Sequence, residues 1–130
     1  MRNLLVFLIL LMVYPALYAD SKCLSQYKVE KRIETLKNTA NILVQKPSSS
    51  EIKALNISVV GAREYALDLS VDKVACERSG YGCNLNRVSE YYLSISNYYS
   101  KFPNFIESDK YIFMRTHELL LDEVTKCEIR

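Results

Sequence analysis

Glycine and proline are scarce in this chain, with three of each in 130 residues. That excludes a sandwich or barrel of many short strands, whose turns need both, and no strand-like alternation of useful length occurs. Histidine is nearly absent too. His117 stands alone, and with no G-x-S-x-G serine there is no matched nucleophile and base. Phosphate-cradling glycine loops and calcium loops are missing. The tightest cysteine spacing is C-x6-C rather than the C-x2-C of zinc sites, so no metal and no cofactor is expected. Glu64 with Asp68, and Glu118 with Asp122, are carboxylate pairs at helical spacing that could act as acid and base. Such pairs far more often mark a solvated face, and the chain reads as a non-enzyme with no catalytic residue.

Long apolar runs are limited to one, and it comes first. Arg2 precedes an unbroken stretch from Leu4 to Val13, broken by Pro15 ahead of Leu17-Tyr18-Ala19. This is the layout of a secretory signal peptide, residues 1–19, cleaved after Ala19. The run is too short for a membrane span and lacks a charged stop. Residues 20–130 then form a single helical domain of 111 residues, carrying sixteen basic and fifteen acidic side chains. So balanced a charge gives no electrostatic reason to bind nucleic acid or anionic lipid. An exported protein with no membrane contact after cleavage is expected.

What remains is helical by periodicity. Val29, Ile33, Leu36, Ala40 and Leu43 form one stripe within Leu24–Gln45, which Pro47 and three serines end. Ser48 to Glu51 fits a capping box. The second helix carries Ile52, Leu55, Val59, Ala62, Ala66 and Leu69 to about Cys76, and Gly61 within it suggests a closely packed neighbouring helix. Glu77 to Asn84 is a loop. Val88, Tyr92, Ile95, Tyr99 and Phe102 stripe the third helix, which Pro103 stops. Ser108 or Asp109 caps the fourth, with Ile112, Phe113, Leu120 and Val124 leading to Cys127. Four such helices joined by short loops imply an all-α fold, a small antiparallel four-helix bundle.

An even number of cysteines in an exported domain reads as two disulfides. Up-down topology brings Cys23, Cys76, Cys83 and Cys127 to one end of the bundle. The simplest pairing is Cys76–Cys83 across the loop and Cys23–Cys127 across the termini; Cys23–Cys76 with Cys83–Cys127 is the alternative. Ten tyrosines are a further oddity, four of them in the doublets Tyr91-Tyr92 and Tyr98-Tyr99. Tyr92 and Tyr99 fall mid-stripe. Tyr91 and Tyr98 lie on its edge, where they either cap the core or form a contact surface.

Cys83-Asn-Leu, the helix from Val88 through Tyr98-Tyr99, Lys101-Phe-Pro, and a last helix from Leu119-Leu-Leu to Cys127 together resemble a known layout. It is that of the periplasmic immunity proteins of type VI secretion amidase effectors, the Rap/Tai group. The small-residue helix with Val60-Gly61 and Ala66-Leu67-Asp68 is similar as well, so the resemblance covers about residues 56–127. Asn84-Leu85 stands where Leu-Pro is more usual, and the second helix lacks a cysteine at its front. The resemblance implies an exported inhibitor that plugs the cleft of a peptidoglycan-cleaving toxin in the periplasm, the partner being a cell-wall amidase. The other reading is a secreted helical carrier, which needs a large apolar cavity for a small ligand.

A plug should be convex and rigid, since ordering side chains on binding is costly. The loop Glu77–Gly82 fits, with Tyr81 at its tip and Arg78 and Arg87 nearby to meet carboxylates. Tyr91 and Tyr98 extend that patch or form a homodimer contact. Pro47–Ser50 and Pro103–Asp109 are the turns to examine otherwise.

Overall fold

The computed structural model describes residues 23–43, 48–78 and 81–128, so the expected signal peptide lies outside it. Within them the chain forms four helices: α1 (Gln26–Ile42), α2 (Ser49–Ala75), α3 (Leu85–Ser100) and α4 (Glu107–Thr125). They run antiparallel in a ring, α1 on α2, α2 on α3, α3 on α4 and α4 back on α1. This is the expected four-helix bundle.

Local chemistry sets each helix start. Ser25 Oγ accepts the Lys28 N–H at 3.3 Å. The capping box at α2 is complete: Ser48 Oγ accepts the Glu51 N–H and Glu51 Oε2 accepts the Ser48 N–H, at 3.4 and 2.8 Å. Asn84 Oδ1 accepts the Arg87 N–H at 3.1 Å. Each cap contributes about 1 kcal/mol. The fourth helix starts earlier than expected, at Ile106 rather than Ser108 or Asp109. Asp109 works instead from inside the first turn, its carboxylate accepting the Ile106 N–H at 3.4 Å.

The stripes read from the sequence build the core. Leu36, Ala40, Val59, Ala62, Ala66, Leu69, Val88, Tyr92, Ile95 and Leu120 are all sealed from solvent. Two expectations fail. Ile112 faces water, because Phe113, one position on, takes the core direction. Gly61 packs against no helix of its own chain: a Cβ added there meets nothing within 4 Å.

The disulfides are Cys23–Cys76 and Cys83–Cys127, so the simplest pairing is overturned in favour of the alternative. The reason lies in the antiparallel neighbours. α1 begins where α2 ends, with Cα atoms of Cys23 and Cys76 5.7 Å apart, and α3 begins where α4 ends, with Cys83 and Cys127 4.6 Å apart. The segment after Cys76 does not double back to bond itself; it carries Cys83 across to the end of α4. Each bridge therefore closes one helical hairpin at its open base. Two disulfides and no free cysteine indicate an oxidising compartment.

Candidate functional site

The base of the bundle is organised by a carboxylate that the sequence reading passed over. Asp72, in the last turn of α2, is 0% exposed. Its Oδ1 accepts the Leu24 N–H at 2.7 Å, and its Oδ2 accepts the Tyr81 hydroxyl at 2.6 Å. Arg78 Nε sits 2.6 Å from the same Oδ2, and Arg78 Nη2 donates to the Leu24 carbonyl. A buried charge is tolerated only when paired and hydrogen-bonded in this way. On the α3–α4 side, Glu123 accepts the Asn84 N–H at 2.6 Å, with Lys126 Nζ 3.7 Å away.

This arrangement removes the expected tip of a binding loop. Tyr81 is 2% exposed and points inward to Asp72. Burial, then that hydrogen bond, push its hydroxyl well above the ordinary phenol range. Arg78 is half-buried and bound to Asp72, so it is not held out for a foreign carboxylate. Gly82 does permit a close approach, but to its own chain. It has φ +76°, an added Cβ would lie 2.2 Å from the Lys126 carbonyl oxygen, and the Glu128 N–H donates to the Tyr81 carbonyl at 2.6 Å. Segment 81–83 is clamped against the C-terminal end of α4.

The other tyrosines divide. Tyr92 donates to the Leu36 carbonyl, burial raising its hydroxyl, and burial sets Tyr99 at about 12. Tyr98 lies deeper than the edge position expected of it. It is buried between Phe105 and Phe113, with ring centroids at 4.2 and 4.4 Å. Tyr91 is half-buried and Arg87 exposed. The five residues expected to meet a partner thus form no shared surface: Arg78, Tyr81 and Tyr98 are spent on the fold itself.

Side chains with chemical potential elsewhere are also engaged. His117 Nε2 lies 2.9 Å from the Ala40 carbonyl oxygen, tying α4 to α1. Asp68 faces Arg32 at 3.7 Å, Glu118 faces Arg115 at 3.3 Å and Asp122 faces Lys126 at 3.3 Å. Three of the four carboxylates in the two helical pairs thus face a cation, and Glu64 is exposed. Among the described residues, no group of three or more His, Cys, Asp or Glu is placed to hold a metal ion, and no helix is long and apolar enough to cross a membrane. A surface depression of about 350 Å³ between α1 and the C-terminal segment is lined by Glu30, Glu34, Lys37 and Glu128 around Ile33. It is open to solvent and rimmed by charged side chains, unlike the enclosed apolar chamber a carrier needs.

The opposite end of the bundle carries the exposed, braced feature. Between α3 and α4, Phe105 stacks on Tyr98, Phe102 meets Phe105 edge-on at 5.6 Å, and Lys101 Nζ holds Asp109 at 2.8 Å. The hydrogen bond to Lys101 holds the Asp109 carboxyl below its ordinary range. On this corner Ile106 is 61% exposed, and on the first turns of α4 Tyr111 is 72% exposed. Comparison with protein-family models, curated proteins and solved structures found no match.

Proposed function

We propose that the protein acts by binding another protein, and that it is an exported immunity protein blocking a peptidoglycan-cleaving toxin in the periplasm. The single observation that carries the binding reading is the braced α3–α4 corner. Ile106 and Tyr111 stand in water while the backbone beneath them is fixed by Phe105 on Tyr98 and Lys101 on Asp109. An exposed apolar residue and an exposed aromatic on a fixed backbone suit a cleft-filling anchor, because little backbone freedom is lost on docking. Two disulfides support a life in an oxidising compartment. The resemblance in the carboxyl-terminal half supplies the toxin class.

The test mixes the purified oxidised protein with cell-wall hydrolases encoded beside its gene and follows release of peptidoglycan fragments. Inhibition by the native protein is expected, with Ile106→Asp plus Tyr111→Ala losing at least tenfold in potency at unchanged thermal midpoint. His117→Ala retains inhibition. Full potency in the double variant rejects the corner as the anchor, and no inhibition of any neighbouring hydrolase rejects the immunity reading.

A further inference from the structure

Helix α2 is apolar on two opposite faces. The inner one enters the core. The outer one carries Ile57, Val60, Leu67, Val71 and Val74, and with Glu64 in the gap its steps are three, four, three, four, three. All five are exposed, Ile57 at 70% and Val74 at 78%. Hydrogen bonds from Ser70 to Asn86 and from Ser96 to Asn56 fix the register of α2 against α3 and bring exposed Leu93 level with the turn at Val60. Single exposed aliphatics need no explanation, but a continuous stripe does. Gly61 borders the stripe. It costs about 1 kcal/mol relative to alanine in mid-helix, and nothing in its own chain occupies the space where a side chain would stand.

We propose that this face pairs with the same face of a second copy of the chain, the two α2 helices packing antiparallel about a two-fold axis beside Tyr65 and Ala66. The proposal is independent of the toxin reading. Alternating threes and fours are the spacing of a two-helix seam. In the antiparallel register Ile57 meets Val74 of the second copy, Val60 meets Val71, and Glu64 meets Leu67. A parallel pair would instead set Glu64 on Glu64 inside an apolar seam. Antiparallel packing brings Arg63 of the second copy within about one turn of Glu64; the Arg63 Nε is buried and makes no hydrogen bond in the single chain. Lys53 of one copy and Glu77 of the other, of opposite charge, fall at the two ends. The absent Cβ at Gly61 lets the backbones approach. The stripe exposes on the order of 500 Å² per copy, and two copies together reach the roughly 1,000 Å² at which specific interfaces begin. An area at that lower limit fits a weak dimer that forms as concentration rises.

Sedimentation equilibrium of the full oxidised protein from about 1 to about 500 μM tests this. The weight-average mass is expected to rise from one chain towards two. Val60→Glu with Val71→Glu should remain a single chain throughout with unaltered helical signal and thermal midpoint, both positions being on the outer surface. Glu64→Leu should lower the dissociation constant at least tenfold. A native protein still at one chain at the highest concentration overturns the proposal, as does a dimer that the double glutamate variant leaves intact. A monomer whose double variant loses a foreign partner assigns the face to that partner and overturns self-pairing.

Discussion

Asp72 and Glu123 occupy equivalent places in the two hairpins. Each lies four residues before the half-cystine that closes its hairpin, and each accepts the N–H of the residue following the other half-cystine, Leu24 or Asn84. The covalent bridge and the buried carboxylate thus act on the same pair of helix ends. The bridge fixes their separation, and the carboxylate satisfies a backbone donor near the start of α1 or α3 that no helix bond reaches.

Asp72→Ala should be the more severe of two substitutions at the base. It strands the Leu24 N–H and the Tyr81 hydroxyl, at about 1–3 kcal/mol for each unsatisfied donor, and leaves Arg78 without its ion-pair partner. Tyr81→Phe removes one hydrogen bond and should cost about 1–2 kcal/mol. Urea unfolding of the oxidised proteins measures both, and equal costs would contradict the central place given to Asp72.

Two glycines should respond in opposite directions to alanine. At Gly82 the left-handed backbone and the overlap with the Lys126 carbonyl oxygen leave no room, so the variant should lose more than about 2 kcal/mol. At Gly61 the space is open and the conformation helical, so stability should rise by about 0.5–1 kcal/mol. Thermal unfolding at low protein concentration, where single chains are compared, decides.

Alkaline pH should separate the tyrosines. Tyr81, Tyr92 and Tyr99 all titrate above the ordinary value of 10.0, Tyr99 at about 12, chiefly because burial disfavours phenolate. A folded value above the unfolded one means stability fully present below pH 10 and lost as pH climbs through the folded values. Absorbance at the phenolate band should therefore show Tyr81, Tyr92 and Tyr99 ionising only above pH 10 and as the helical signal collapses. Ionisation of Tyr81, Tyr92 and Tyr99 near pH 10 with the helices intact would contradict this burial.

The pairing of the half-cystines has a direct chemical readout. Trypsin cuts after Arg78, between Cys76 and Cys83. An unreduced digest should yield Cys23–Lys28 joined to Val74–Arg78, and Ser79–Arg87 joined to Cys127–Arg130. Recovery of Val74–Arg78 joined to Ser79–Arg87 would restore the discarded pairing.

The helices and their inner faces were legible because each stripe repeats at the helical period, and burial follows that period at Val29, Ile33 and Leu36 or at Val88, Tyr92 and Ile95. Asp72 was not, since a charged residue at the end of a helix ordinarily marks solvent. The signal that could have found it is a carboxylate four residues before a cysteine, present at Asp72–Cys76 and again at Glu123–Cys127. The outer stripe of α2 escaped for the opposite reason: with apolar residues on both faces, periodicity picks one and hides the other. The disulfide pairing depended on the path of the loop, which Tyr81 sets by entering the core. No local pattern at Gly80-Tyr81-Gly82 distinguishes that from a tyrosine held out at a tip.

Closing each hairpin at its base has a mechanical consequence. Tension applied between the two ends of the chain passes from Cys23 to Cys76 and from Cys83 to Cys127 through sulfur, bypassing every helix. The lengths 24–75 and 84–126 bear no load. Between the bridges only residues 77–82 can extend, by no more than about 20 Å for six residues drawn straight. Threading or pulling machinery that grips a terminus therefore cannot unravel this protein helix by helix; it must first reduce a bridge or cut the backbone.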